Sequence, residues 1–119
     1  MGCDLMGTIE YGEFGDPLYH SSKYFAKPLL SGGWDHRQVY PFISKYSHEG
    51  LPEQVSFSVE REVKIIEDVT WHWIDTEGFS KAIQEYEEQS GEKALEEFHA
   101  VIAAMKKLTN ARLVYWYSV

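Results

Sequence analysis

Apolar and polar residues alternate near the start of the chain. In "LMGTIEY", Leu5, Gly7, Ile9 and Tyr11 fall on one side and Met6, Thr8 and Glu10 on the other, the two-residue period of a strand. Arg112-Leu113-Val114-Tyr115-Trp116-Tyr117 is aromatic and β-branched and predicts a C-terminal strand. "DVTWHWI" predicts another, with Trp71 and Trp73 on one face and Thr70, His72 and Ile74 on the opposite one. The tryptophan face is expected to be the buried one and His72, on the opposite face, to be a surface or lightly covered residue. Residues 55–66, "VSFSVEREVKII", also alternate through Val55, Phe57, Val59, Val63 and Ile65, and predict extended structure with a break around Glu60-Arg61-Glu62.

Two stretches carry the helical period instead. Phe79, Ala82, Ile83 and Tyr86 form one stripe behind Asp75 or Thr76 as cap. Leu95, Phe98, Ile102, Met105 and Leu108 form a second, with Ser90 as its expected N-cap and Asn110 as a left-handed stop. A shorter helix is expected after Ser31-Gly32-Gly33 from Trp34, Val39, Phe42, Ile43 and Tyr46, capped by Asp35 and limited by Pro41 unless that proline lies in the first turn. Gly12, Gly15, Gly32, Gly33, Pro17 and Pro28 leave room only for a hairpin partner around Leu18 to Tyr24 and a loop, and "HEGLPEQVS" reads as a turn. The order predicts an α+β fold: a small antiparallel or mixed sheet with two C-terminal helices packed on one face, in two layers. Residues 1–119 are expected to form a single domain.

The 119 residues, 15% of them aromatic, suffice for one continuous core. Apolar runs such as Val101-Ile102-Ala103-Ala104-Met105 fall well short of the roughly 18 residues a bilayer span needs. No charged n-region precedes a signal-like segment. Gly2-Cys3 does not complete a lipid-anchor pattern, because Met6 stands where Ser or Thr is required. These features predict a cytoplasmic protein with no membrane partner. The lone cysteine excludes an internal disulfide and thiolate-cluster metal sites. A formal charge of −8 repels phosphate backbones, so no direct nucleic-acid binding is expected.

The acid is concentrated between Glu67 and Glu97, where only Lys81 and Lys93 oppose it. Such a run is either a solvated face or a face that docks on a basic partner, for which Glu85, Glu88 and Glu92 are the candidate residues.

His20, His36, His48, His72 and His99 show no pair at the spacing that places two ligands on one strand or helix face. No metal or cofactor is therefore expected. A site assembled from Asp4, His36 and His72 would need long-range convergence. Cys3 adjoins Asp4, whose carboxylate disfavours a thiolate nucleophile, and no serine sits in a G-x-S-x-G elbow. Gly32 and Gly33, with Trp34 and His36, form the candidate ligand site: backbone donors before a helix, and rings to hold a flat molecule, with Asp35 competing for the donors.

The start "MGCD-L-M", the central "GLPEQVS", "W-I-D-T-E-G-F" and the final "RLVYWY" occur in the order found in a group of tailed-phage proteins. Those proteins begin M-G-C-D-I-H, carry G-L-P-x-D/E-V-S and H-S-H-S-W, and end R-L-V-F-W-F-D-N. The chain resembles a divergent member of that group. Where the group has its N-terminal histidine this chain has Met6, and the two central histidines correspond to Val69 and Trp71, with His72 on a serine position. The resemblance implies a small non-enzymatic phage accessory protein that binds, and inhibits, a host defence protein with a basic surface. Sequestration of a small molecule or nucleotide signal is the alternative, and a metal-dependent hydrolase retaining Asp4 a third. Pairing of an exposed Leu113 to Tyr117 strand across a two-fold axis would give a homodimer.

Overall fold

The computed structural model describes residues 4–12, 20–25, 39–94 and 96–118. Elements follow in the order β1 (Asp4–Tyr11), β2 (His20–Phe25), α1 (Tyr40–Tyr46), β3 (His48–Glu49), α2 (Phe57–Ile65), β4 (His72–Asp75), α3 (Thr76–Ser90), α4 (Glu96–Lys106) and β5 (Arg112–Ser118). The strands form one antiparallel sheet in the order β2-β1-β5-β4-β3, so the fold is α+β. The C-terminal strand is central. It pairs with β1 over its whole length and with β4 over Arg112–Tyr115, so the part from Leu113 to Tyr115 is not the exposed edge that pairing across a two-fold axis needs.

The register sorts the side chains onto two faces. Ile9 lies opposite Leu113, Gly7 opposite Tyr115, and Ile74 opposite Leu113 from the other side. Ile9, Leu113, Tyr115 and Ile74 are buried in one cluster with Ile43 of α1, Phe79, Ala82, Ile83 and Tyr86 of α3, and Phe98, Val101, Ile102 and Met105 of α4. The two C-terminal helices therefore cover one face, as their stripes predict. Gly7 permits the close approach of β1 and β5: a Cβ there would meet Leu113 Cδ1 at 2.8 Å.

The expectation of extended structure over residues 55–66 is overturned. Ser56 Oγ accepts a hydrogen bond from Val59 N at 3.3 Å and caps α2. Glu60 lies in the first turn and Lys64 in the last, which suits the helix dipole, and the two form an i, i+4 pair at 3.4 Å. The same apolar residues satisfy a second period, with Val59 fully buried and Glu62 and Val63 half-buried on one side. Charged helix formers between them tip the balance. This helix packs on the sheet face opposite α1, α3 and α4, against Thr8 and Glu10, so the fold has a partial third layer rather than two.

Two caps also differ from expectation. Asp75 caps α3 as predicted, accepting from Gly78 N at 2.6 Å, a contact worth about 1 kcal/mol. Ser90, however, ends α3 rather than starting α4, and Gly91 closes the helix in the left-handed region at φ 73°. Its hydroxyl accepts from Glu92 N within the turn. Pro41 falls in the first turn of α1, where its missing N–H costs nothing; the N-cap there is Val39, and Asp35 lies outside the described residues. Asn110 is left-handed at φ 51°, two residues before β5 begins.

Candidate functional site

Gly32, Gly33, Trp34 and His36, the predicted ligand site, lie outside the described residues, as does Cys3. The acidic residues can be placed. Glu85 is only partly available, because it accepts from Lys45 Nζ at 2.9 Å and from the Tyr46 hydroxyl, bonding α3 to α1. Glu88 is exposed on α3 and accepts from Gln84 Nε2 at 3.2 Å. Glu92 is exposed in the α3–α4 turn, and Glu96 and Glu97 are exposed in the first turn of α4. None of these four carboxylates forms an ion pair among the described residues. Glu87 is turned inward along the helix pair. It meets His99 Nε2 at 2.8 Å and accepts from Ala94 N at 2.8 Å, and the hydrogen bond from His99 holds its carboxyl below the usual carboxylate range.

Between α1 and α3 lies a cleft of about 200 Å³ lined by Pro41, Phe42, Lys45, Glu85 and Gln89. Phe42, half-buried in this lining, meets Tyr86 edge-on at 5.7 Å between ring centroids. The two helices are tied at this point by the Lys45–Glu85 bridge.

His72 is half-buried, and the face it shares with Ile74, not the tryptophan face, is turned to the core. Its face is the core face: Ile74, two residues on, is fully buried, and the His72 ring stacks on that of buried Tyr115 at 5.5 Å. Trp71 and Trp73 are only half-buried, with Trp73 stacked against exposed His48 at 4.1 Å and about 5.9 Å from the Arg112 guanidinium. Alternation defines two faces but cannot choose between them, and here the helices sit on the isoleucine side. Burial pushes the His72 pKa down, partly offset by Glu49, its partner across β3–β4. A histidine held low stabilises the fold above its ordinary pKa and loses that contribution as pH falls through the folded value. Replacing Glu49 with Gln should lower the His72 pKa further, read by an NMR titration of the imidazole; an unchanged or raised value would show that the carboxylate does not act on this ring.

The neighbouring hydroxyls are occupied. Ser47 Oγ donates to Ile43 O at 2.7 Å and lies 2.5 Å from the Tyr115 hydroxyl, which must then be the donor between them. Burial pushes the Tyr115 phenol up to about 12, against the opposing effect of Ser47. This arrangement fixes α1 to the sheet and leaves Ser47 without a free proton for nucleophilic attack.

Sequence reasoning missed one cluster altogether. Glu10 is fully buried and Arg112 6% exposed, directly opposite each other in β1 and β5. Arg112 Nε donates to Glu10 Oε1 at 2.8 Å, while Glu10 Oε2 accepts from Ser56 N at 2.6 Å and Arg112 Nη2 donates to Gln54 O. Alongside, Thr8 Oγ1 donates to Glu62 Oε2 at 3.2 Å. The pair thus holds the 50–56 loop and the start of α2 onto the sheet. Glu10 near the end of β1 and Arg112 at the start of β5 were the only sequence signal, and the register that joins them is long-range.

The chain matches no family model, no curated protein and no solved structure. Among the described residues no three His, Cys, Asp or Glu side chains gather where they could hold a metal ion, and no helix is long and apolar enough to cross a membrane.

Proposed function

We propose that the protein acts by binding another protein, presenting the outer surface of α3 and α4 to a basic surface on the partner. The observation that carries this reading is the group of exposed carboxylates Glu88, Glu92, Glu96 and Glu97, none neutralised by a cation among the described residues. Exposed charges without intramolecular partners contribute little to stability and leave their field free to steer a partner of opposite sign. The chain's net charge of −8 adds to that field. The resemblance to tailed-phage proteins supports a host protein as the partner, with inhibition of a host defence as the consequence. Glu85, tied to Lys45 and Tyr46, belongs to the supporting structure more than to the docking surface.

The double charge reversal Glu88→Lys with Glu92→Lys tests this. Partner recovered from host cells by cross-linking to the tagged protein should fall at least tenfold, with circular dichroism unchanged. Recovery from the unaltered protein should also fall steeply with added salt, because rim charges are screened over about 8 Å at physiological ionic strength. A partner retained equally by the reversed protein, at all salt concentrations, would refute the acidic surface as the docking face.

A further inference from the structure

Among the described residues the large apolar side chains most open to solvent are Phe57, 73% exposed, and Ile65, 75% exposed, the first and last residues of α2. At 3.6 residues per turn, Phe57, Arg61 and Ile65 lie within one arc of about 80°, its ends about 12 Å apart along the axis. The arc faces away from the sheet, because Val59 on the far side of the helix is fully buried and the capping residue Ser56 is held by Glu10. Arg61, in the middle of the stripe, is exposed and has no ion pair or hydrogen bond among the described residues, whereas Lys64 beside it bonds to Glu60 at 3.4 Å. A single exposed apolar residue is ordinary; two on one helical stripe, either side of an unneutralised cation, make a patterned surface. The stripe is set apart from the acid of α3 and α4, since those helices pack on the other face of the sheet and surface charges are screened over about 8 Å at physiological ionic strength.

This pattern decides between occupants. A bilayer fits poorly: two side chains bury less apolar surface than a single acyl chain, which itself gives only marginal binding, and the chain's charge of −8 repels anionic lipid. A second copy also fits poorly. Leu51, Phe57 and Ile65 are the exposed large apolar residues among the described ones, so a copy could match the stripe only with its own α2, setting Arg61 against Arg61 across the two-fold axis. A helix from another protein fits, because its rise reproduces the spacing, with apolar residues at i and i+7 or i+8 and a carboxylate between them, at i+3 or i+4, to meet Arg61. Glu67 and Asp68, exposed just beyond α2, disfavour further carboxylates at that end of the incoming helix. We infer that α2 is a second docking surface, which receives an acidic amphipathic helix of a partner protein on Phe57, Arg61 and Ile65. This surface is independent of the one on α3 and α4, and the two together would let one molecule join a basic partner on one side of its sheet to an acidic one on the other.

The experiment is selection of binders to the full chain from a randomised sixteen-residue peptide library displayed on yeast, followed by affinity measurements on the most enriched synthetic peptide at physiological salt. The enriched peptides should share one Asp or Glu with a large apolar residue three or four positions to either side, and the synthetic peptide should gain helical circular dichroism on binding. Phe57→Gln with Ile65→Gln should weaken binding at least tenfold and leave the urea midpoint of the protein unchanged, because neither side chain is buried. Arg61→Glu should weaken it similarly, and replacing the peptide's acid with Lys should restore it. Glu88→Lys with Glu92→Lys should leave the affinity within about twofold, so that the α2 surface and the acidic surface of α3 and α4 succeed or fail separately. Failure to enrich any peptide, enriched peptides without the pattern, or binding indifferent to Phe57→Gln with Ile65→Gln would overturn α2 as a docking surface. Loss of binding on Arg61→Glu without rescue by Lys, or a peptide displaced by the Glu88 and Glu92 reversals, would overturn the acidic helix as its occupant. So would self-association, or co-sedimentation with phosphatidylserine vesicles, that Phe57→Gln with Ile65→Gln abolishes, because a second copy or a membrane would then take its place. A fall in the urea midpoint would show the stripe to be covered by the chain itself and would equally overturn it.

Discussion

Arg112→Met should cost about 3–5 kcal/mol of unfolding free energy, because it strands the fully buried Glu10 carboxylate without its cation. Urea denaturation at neutral pH measures it. Glu10 would retain one donor, Ser56 N at 2.6 Å, which is too little to solvate a charge in the interior. Removing Glu10 instead takes the buried carboxylate from the guanidinium and deprives Ser56 N of its acceptor. The double replacement Glu10→Leu with Arg112→Met should lose less than the sum of the two single changes by at least about 2 kcal/mol, since no buried charge is then left over. Ser56 N and Gln54 O remain to be satisfied, so a residual loss of about 1–3 kcal/mol is expected even then. The damage should appear first in the 50–56 loop and α2, as faster amide exchange there than in α3 and α4. A loss under about 1 kcal/mol for Arg112→Met would place the pair among ordinary surface contacts, and the clamp would have to be abandoned.

Phe79→Ala is the second large effect, expected at about 3–5 kcal/mol. Phe79 is fully buried and meets Phe98 edge-on at 6.0 Å, joining α3 to α4 beneath the proposed docking surface. Truncation removes this contact and opens a cavity between two helices that are also held by the Glu87–His99 pair and by the turn at Gly91. With total stabilities of small domains near 5–15 kcal/mol, that loss would bring the protein close to unfolding at moderate temperature. The measurement is again chemical denaturation, compared with Phe42→Ala. Phe42 is half-buried at the cleft and should cost clearly less. Equal losses at the two positions would mean that the cleft wall is part of the core rather than its edge.

The two effects act on opposite faces of the sheet, and this bears on function. Disrupting Glu10–Arg112 loosens α2, whose outward side leaves Phe57 73% and Ile65 75% exposed. Disrupting Phe79 loosens the helix pair that carries Glu88, Glu92 and the cleft. A partner that reads the α3–α4 surface should tolerate the first better than the second when each variant is assayed under conditions where it remains folded.

The elements whose sequence satisfied a single period were legible directly. The stripe Phe79, Ala82, Ile83 and Tyr86 is buried as a stripe, Asp75 caps it, and both terminal segments form strands as their residues predict. Residues 55–66 were misread because Val59 and Val63 satisfy the strand and helix periods together, and only the cap at Ser56 and the charged residues between them separate the two. The candidate acidic residues were found by composition, but composition could not distinguish Glu85, spent on Lys45 and Tyr46, from Glu88 and Glu92, which remain exposed. Local pattern carries periodicity, capping and charge because these depend on neighbours within a few residues. Which face of β4 turns inward, which strand ends up central, and that Glu10 finds Arg112 across the whole length of the chain depend on pairings between distant segments. Those were decided only when the sheet closed in the order β2-β1-β5-β4-β3 and helices took both of its faces, because burial of one side of a strand is a property of what packs on it and not of the strand itself.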